Sequence, residues 1–255
     1  ASTRGVGTAV LELERQGATS VVIGLGGSAS VDGGTGFARA FAWNFRDQDG
    51  QSLPEGGGAL GALRQVVEGR APKAAIVGLA DVRNGLTGPD GAIVYAPQKG
   101  ANPAEVAELA QGLDRLVSVL AARDPRARER AAAVSAGAAG GLGFGLMHFA
   151  GGTLISGAAW VLERAGFDRL LAGTDLVVTG EGAFDATSWA GKLTGEVMER
   201  ARAAGVPVAL VAPHAAGVPP DVIVESGGGA APWTLADLAR QGERAVRRAL
   251  RLPLS

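Results

Sequence analysis

The sequence predicts an α/β protein built on parallel sheets. Short apolar runs, such as 20–25 and 175–179, alternate with segments whose apolar residues have helical spacing. These runs end in glycine-rich turns that lead into helices, which is the order of strand, turn and crossover helix in a parallel sheet. At 255 residues and 47% hydrophobic content, the chain is long and apolar enough to bury a substantial core.

The first part of the chain is predicted to begin with a helix over 5–16 that Gly17 ends. Pro103 suits the first turn of a later helix, because its ring fixes the backbone angle that a helix needs there. Strands are predicted at 20–25, 74–79 and 92–95, a turn at 47–50, and helices at 37–42, 103–122, 125–134 and through Met147 and Trp160.

Beyond Gly166 the pattern is a plain alternation of strands and helices. Strands are predicted at 175–179, 208–212 and 222–224, and helices at 193–204 and 235–250. A seam between two parts of the protein is expected between residues 150 and 170. The small residues over 135–143 predict that backbone segments approach one another closely there.

Charge and composition exclude several classes of protein. A net charge of −1 gives no electrostatic case for binding nucleic acid or an anionic membrane. No apolar run approaches the roughly 18 residues that a membrane helix needs. The absence of cysteine excludes disulfides and thiolate chemistry, and no secretory signal is visible. These features agree with a cytoplasmic location.

Side chains that can bind ions or transfer protons are most concentrated in the stretch 180–192. Gly180, Glu181, Gly182 and Asp185 directly follow a predicted strand, and Lys192 stands where a helix is predicted to begin. The acids can hold a metal or accept a proton, and the lysine can neutralise a phosphate. The spacing is not that of a Walker A loop, because the residue after the lysine is leucine instead of Ser or Thr. The stretch predicts an uncommon phosphate-handling site.

Asp32 and Asp81 also follow predicted strands in glycine-containing turns. Carboxylates gathered at one sheet edge suit Mg²⁺, and one of them could act as base for a substrate hydroxyl. Aspartates at such positions also cap helices and form turns. Both interpretations stay open from these residues alone.

Gly26, Gly27 and Ser28 could cradle a phosphate with their backbone N–H groups, although the segment is a poor dinucleotide fingerprint. Lysine occurs only at positions 73, 99 and 192, while arginine supplies the other basic groups, so Lys99 and Lys192 are candidates for anion binding. His148, in an apolar helix, is predicted to be packed. His214, just beyond a strand, suits either a ligand-facing position or an ordinary loop.

Several ordered blocks together resemble the type I glycerate kinase family. The first is 23–34, in which Ser30 and Val31 replace the Thr and Asn of the family's GIGGSATNDGG block. The others are Asp81 to Asn84 with 88–101, similar to CDVxNPLxGxxGA…GPQKGA; 137–143, similar to GAAGGLG; and 179–192, similar to TGEGxxDxxxxxGK.

This resemblance implies ATP-dependent, Mg²⁺-assisted phosphorylation of D-glycerate, usually to 2-phosphoglycerate. It also implies two α/β lobes: an inserted lobe over 1–160 and the C-terminal part of a Rossmann-like lobe, incomplete here, over 161–255. On this basis we expect the catalytic residues to be Asp185, Lys192 and Asp81, and Asp32 and Asp81 to ligate the metal. The expected substrate- and nucleotide-binding residues are Gly26, Gly27, Ser28, Asp32, Asn84, Lys99, Gly180, Glu181 and Gly182. We expect Asp32, Asp81, Asp185 and Lys192 to share one cleft.

The chain departs from the family pattern in two ways. Ala183 stands where a basic residue is common, and Gly85 replaces a proline. The family's N-terminal APDSFK-type and ADGGEGT-type blocks do not occur, so the chain is expected to be a fragment with an open sheet edge, inactive by itself. The alternatives are a truncated, non-catalytic relative that binds a small molecule, and a hydroxy-acid dehydrogenase, which the poor dinucleotide fingerprint disfavours. The sequence is compatible with a homo-oligomer and does not determine which glycerate hydroxyl is phosphorylated.

Overall fold

The computed structural model describes residues 1–227 and 233–251. The chain divides into two compact units, Ala1–Ser156 and Gly157–Ser255.

Unit 1 is built around a three-stranded parallel sheet of Ser20–Gly24 (β1), Ala75–Ala80 (β4) and Thr153–Ser156 (β5), in the order β1-β4-β5. Asn44–Arg46 (β2) and Gln65–Val67 (β3) form a separate antiparallel sheet. The elements in chain order are α1 (Arg4–Arg15), β1 (Ser20–Gly24), α2 (Thr35–Ala40), β2 (Asn44–Arg46), β3 (Gln65–Val67), β4 (Ala75–Ala80), α3 (Pro103–Ala121), α4 (Arg126–Ala132), α5 (Ala138–Phe149) and β5 (Thr153–Ser156).

Helix α3 begins where the sequence predicts. The side chain of Asn102 accepts from the N–H groups of Ala104 and Glu105, and the Glu105 carboxylate accepts from the Asn102 N–H, which makes a capping box ahead of Pro103. Leu113 and Leu116 on this helix are fully buried in the larger of two cores. The aromatic residues Phe45, Phe144 and Phe149 pack in that same core.

The predicted close approach of backbones around 135–143 is confirmed. The backbone of Ala139, Gly140 and Gly141 has positive φ angles of 51°, 67° and 91°. A Cβ atom on Gly140 would lie 1.9 Å from the carbonyl oxygen of Ser30, so only glycine fits. The Gly33 N–H donates to the Gly140 carbonyl at 3.1 Å, which fastens this tract to the loop that follows β1.

The strand predicted at 92–95 is wrong: Ala92–Tyr95 is a 3₁₀ turn. The Ala92 N–H donates to the nearby Leu86 carbonyl, and Ala92 is buried in the core. A second 3₁₀ turn, Pro97–Lys99, follows after one residue, so the run is too short and too sharply turned to pair in a sheet. Sequence patterns also missed β2, β3 and β5.

Unit 2 contains a second parallel sheet of Ile223–Glu225 (β10), Val208–Val211 (β8) and Val177–Gly180 (β6), in the order β10-β8-β6. Its central strand β8 is fully buried, as its four apolar residues predict. The elements in chain order are α6 (Gly157–Ala165), α7 (Phe167–Leu171), β6 (Val177–Gly180), β7 (Ala183–Phe184), α8 (Leu193–Ala203), β8 (Val208–Val211), β9 (His214–Ala215), β10 (Ile223–Glu225) and α9 (Leu235–Ala249).

The three strands and two helices predicted beyond Gly166 are all present, which confirms the α/β class. The short parallel pair of β7 and β9, which joins Ala183 to His214, was not predicted. Phe184 on β7 is buried in the core of this unit together with Met198 and Leu210. In residues 1–227 and 233–251, no helix is both long enough and apolar enough to cross a membrane.

His148 on α5 is packed, as predicted: its ring stacks on Phe144 and its Nδ1 lies 3.1 Å from Arg130 Nη1. A guanidinium can only donate, so Nδ1 is the acceptor and the imidazole is neutral. Burial, followed by the nearby charge of Arg130, lowers the His148 pKa from 6.5 to about 4.

This shift predicts a pH-dependent stability. As the pH falls through 6.5 the unfolded chain binds a proton that folded His148 does not accept until about pH 4. Stability is therefore lost across that window, by about 1–2 kcal/mol after allowing for partial exposure of the ring. Urea unfolding at pH 7.5 and 5.0 measures the loss. His148→Gln should show a smaller loss than the unmodified protein, and an equal loss in both would contradict the assignment.

Candidate functional site

In unit 1, two glycine-containing backbones and a lysine enclose a cavity of about 300 Å³. One wall is the turn after β1, and another is the left-handed tract at the start of α5. Lys99 lies at the end of the second 3₁₀ turn, and Asp81 directly follows β4. The lining comprises Leu25, Gly26, Gly27, Ser28, Asp81, Val82, Tyr95, Gln98, Lys99, Ala139 and Gly140.

Lys99 is held in place by two hydrogen bonds. Its ammonium group donates to Ser28 Oγ at 3.0 Å and to the Ser30 carbonyl at 2.8 Å. An ammonium group has three protons, so one donor is left for a ligand in the cavity. Burial lowers the pKa of Lys99, with the charge of Asp32 acting in the opposite direction. A partly desolvated, fixed cation of this kind suits the binding of an anion.

Asp81 is exposed and lines the same cavity as Lys99. Its carboxylate makes no hydrogen bond or ion pair to another residue of 1–227 and 233–251. Both oxygens are therefore available to a ligand or a cation, and the role of Asp81 in the site stays a prediction.

Asp32 is placed differently from the expectation. Its side chain is completely buried and accepts from the N–H and hydroxyl of Thr3 and from the N–H groups of Gly34 and Gly36. With its lone pairs occupied, the carboxylate fastens the N-terminal residues to the start of α2. The metal-ligand role predicted for Asp32 finds no support in this arrangement.

Asn84 and Glu181 carry buried polar atoms that lack a partner. Both amide atoms of Asn84 and the Oε1 atom of Glu181 are buried without a hydrogen bond in the described part of the chain. Leaving such an atom unpaired costs about 1–3 kcal/mol, and native proteins commonly resolve it with a bound ion, water or ligand. Both residues were predicted as binding residues from the sequence.

In unit 2, the loop between β6 and α8 joins three predicted site residues. Lys192 Nζ donates to Thr187 Oγ1 at 2.9 Å, and the same hydroxyl donates to Asp185 Oδ1 at 2.6 Å. Glu181 Oε2 lies 3.9 Å from Lys192 Nζ. The loop therefore presents one cation and two carboxylates at the carboxyl end of a parallel strand, where α/β proteins bind ligands.

Hydrogen bonds from the Thr187 hydroxyl and N–H lower the pKa of Asp185, and the charge of Lys192 contributes further. The carboxylate is ionised at neutral pH. Its second oxygen, Oδ2, makes no hydrogen bond within residues 1–227 and 233–251. Asp185 is therefore held in a position to accept a hydrogen bond from a hydroxyl, and its lowered pKa makes it a weak base.

Gly180 and Gly182 in this loop have different structural roles. A Cβ atom on Gly180 would lie 2.3 Å from the Val211 carbonyl oxygen, so the end of β6 passes too close to β8 for any side chain. Gly182 has open space around its Cα, with nothing within 4 Å of a Cβ atom, which leaves its backbone accessible. The N–H groups of the first turn of α8 begin just after Lys192.

Thr187 is the main site residue that sequence reasoning missed. Its N–H donates to Asp185 Oδ1 at 2.7 Å, which makes an Asx turn, so an Asp two residues before a Thr was the available signal. Tyr95 in the unit 1 cavity was missed because the strand predicted at 92–95 placed that residue in a sheet. Gln98 and Ala139 also line the cavity, and no separate signal in the sequence points to them.

Mg²⁺ binds proteins through one or two carboxylates and usually keeps water or phosphate oxygens as its other ligands. The free carboxylate of Asp81 and the unpaired oxygen of Glu181 each fit that requirement. In the part of the chain that the structure describes, no three His, Asp or Glu side chains group closely enough to hold a metal by themselves.

Comparison with known proteins places this geometry in a family. A family model described as the glycerate kinase family matches residues 1–251. A glycerate kinase of Halalkalibacterium halodurans is 36% identical over 216 residues, covering 83% of this chain and 56% of that protein. The glycerate 2-kinase of Escherichia coli K12 is 36% identical over 197 residues, covering 75% of this chain and 51% of that protein.

A solved structure, a glycerate kinase 2 from Salmonella typhimurium LT2, superposes with a TM-score of 0.70 at 30% sequence identity. The match covers 98% of this chain and 67% of that one. The chain spans little more than half the length of the two curated relatives. With a family model matched over nearly its whole length, this chain belongs to the glycerate kinase family.

Proposed function

We propose that the protein carrying this chain transfers the γ-phosphoryl group of ATP to D-glycerate and forms 2-phosphoglycerate. The unit 1 cavity carries the proposal: a fixed ammonium, a free carboxylate and exposed glycine backbones surround about 300 Å³. The family relationship and the glycerate 2-kinase among the relatives support this substrate and product. We further propose that 1–160 forms the inserted lobe and 161–255 part of the Rossmann-like lobe.

Phosphoryl transfer needs positioning and charge neutralisation more than covalent chemistry from the protein. Lys99 would bind an anionic oxygen with its remaining proton, assisted by the N–H groups of Gly26 and Gly27. Because Lys99 is already held by Ser28 and Ser30, little side-chain entropy is lost when the anion binds.

In the loop before α8, Asp185 would accept the hydrogen bond of the substrate hydroxyl through its free Oδ2. Thr187 fixes the carboxylate, and Lys192 places a positive charge beside the same hydroxyl network. The low pKa of Asp185 keeps it ionised and so able to accept the hydroxyl. Proton transfer would follow as the oxygen–phosphorus bond forms, which lets a weak base suffice.

Asp81 or Glu181 would hold Mg²⁺ as one carboxylate ligand, with phosphate oxygens completing the coordination. The bound ion supplies neutralisation of the charge on the transferred phosphoryl group.

Replacing the cavity lysine tests the proposal. Lys99→Met should lower kcat/KM for ATP or glycerate by about 10–100-fold, because it removes one charge-assisted hydrogen bond to an anion. Glycerate-dependent ADP release measures the rate. Lys73→Met is the matched control, since Lys73 is exposed and lines no part of the cavity, and it should retain full activity. Equal rates in both variants would contradict the proposal, and so would a rate of ADP release that is the same with and without glycerate.

A further inference from the structure

A second group of charged side chains in unit 1 surrounds a cavity outside the proposed substrate-binding region. This cavity has a volume of about 200 Å³. Arg123 follows the end of α3, and Arg126 and Arg130 lie one turn apart on α4. Trp43, Glu68 and His148 complete the polar and aromatic part of the wall.

These arginines are held by the protein but keep donors free. Arg130 Nη1 uses both its protons, one on Asp124 at 2.7 Å and one on His148 Nδ1 at 3.1 Å. Its Nε and Nη2 have no partner within residues 1–227 and 233–251. Arg126 uses only Nε, on Asp124, and Arg123 uses only Nη1, on the Val66 carbonyl. Each guanidinium therefore retains several N–H groups for a ligand.

The charges around the cavity leave an excess of positive charge. The cavity lining carries three guanidiniums and the carboxylates of Asp124 and Glu68, which gives three positive charges against two negative ones. Arg126 and Arg130 lower the pKa of Asp124 to about 2, so its charge is present throughout the neutral range. His148 is neutral there and adds no charge. In a chain whose overall charge is −1, this is a local concentration of cations.

We propose that this cavity binds a small phosphate monoester, distinct from the ATP and glycerate of the proposed function. The planar guanidinium matches two oxygens of a phosphate at once, and the net positive charge of the cavity lining favours an anion. A volume of about 200 Å³ admits a phosphate carrying a few carbon atoms and is too small for a nucleotide. The indole of Trp43 provides an apolar surface for the carbon atoms.

Calorimetric titration with inorganic phosphate and with glycerol 2-phosphate, at an ionic strength held constant by KCl, tests this site. Lys99→Met serves as the parent protein, so that anion binding in the cavity around Lys99 is weakened. One saturable event is expected for each probe. Arg123→Gln and Arg126→Gln should each weaken binding by about tenfold, because each removes a charge-assisted hydrogen bond.

Arg128→Gln is the matched control. Arg128 is an exposed arginine on the same helix that does not line the cavity, so its loss should leave the affinity unchanged within about twofold. Binding should also change the fluorescence of Trp43, and Trp43→Phe should abolish that signal while binding persists. The proposal is overturned if neither probe saturates, if both arginine variants keep their affinity, or if Arg128→Gln loses as much. Loss of glycerate phosphorylation in the parent would leave these outcomes unaffected.

Discussion

Asp185→Asn is expected to lower kcat by about 10²–10⁴-fold, the usual range for a residue that handles a proton in the transition state. The substitution keeps the shape of the side chain but removes the charge that accepts the substrate hydroxyl in the proposed function and that pairs with the Lys192–Thr187 network. The residue is exposed, so unfolding free energy should change by no more than about 0.5 kcal/mol. Steady-state rates of glycerate-dependent ADP release, with a thermal unfolding curve, measure both quantities.

Asp175→Asn is the matched control for this change. Asp175 is also an exposed aspartate of unit 2, but it lies before β6, at the other end of that strand from the loop. Its variant should have normal kcat. Near-normal turnover in Asp185→Asn would remove Asp185 from the mechanism, and an equal loss in both variants would point to a general effect of lost charge.

Gly140→Ala should be the most destabilising single substitution that we consider, at more than about 3 kcal/mol. The new methyl group would overlap the Ser30 carbonyl oxygen at 1.9 Å, and φ is +67° at this residue. The carbonyl of Ser30 also accepts from Lys99, so relief of the clash would move the cavity lysine. Urea unfolding should show the loss, and activity should fall with it.

Gly27→Ala distinguishes the effect of the steric overlap with Ser30 from the effect of a positive φ angle. Gly27 has a similar φ of +59°, but nothing lies within 4 Å of a Cβ atom there. Its variant should lose only about 1 kcal/mol, the cost of a left-handed conformation for alanine. If Gly140→Ala and Gly27→Ala lower the free energy of unfolding equally, the close contact between Gly140 and Ser30 does not exist in the folded protein.

The regular parts of the fold were predictable because local pattern and tertiary environment agree. Strand β8 is four consecutive apolar residues in the middle of a sheet, and α3 carries a proline and a capping box at its start. The run 92–95 has strand-like residues, yet its tertiary environment makes it a 3₁₀ turn. Ala92 is buried and the chain turns at Pro97, so no neighbouring strand can pair with it.

Part of the candidate site stands out in the sequence for a related reason, although the roles of its residues stay predictions. Charged residues in glycine-rich turns after strands or at helix ends can be recognised from the sequence as candidates for ligand binding. These residues are Asp81, Lys99, Glu181, Asp185 and Lys192. Asp32 looked identical by that criterion. Only the structure shows Thr3, distant in sequence, occupying its carboxylate. Whether the site residues of unit 1 and those of unit 2 share one cleft stays a prediction.

The most direct test of the proposed activity is the ³¹P NMR spectrum of a reaction containing the whole protein that carries this chain, ATP, Mg²⁺ and D-glycerate. We predict one new phosphate monoester signal that coincides with 2-phosphoglycerate and grows as the γ-phosphate signal of ATP declines. A signal at 3-phosphoglycerate would correct the position of transfer alone. No new ester from folded protein, with ATP either intact or hydrolysed to inorganic phosphate, would contradict the account.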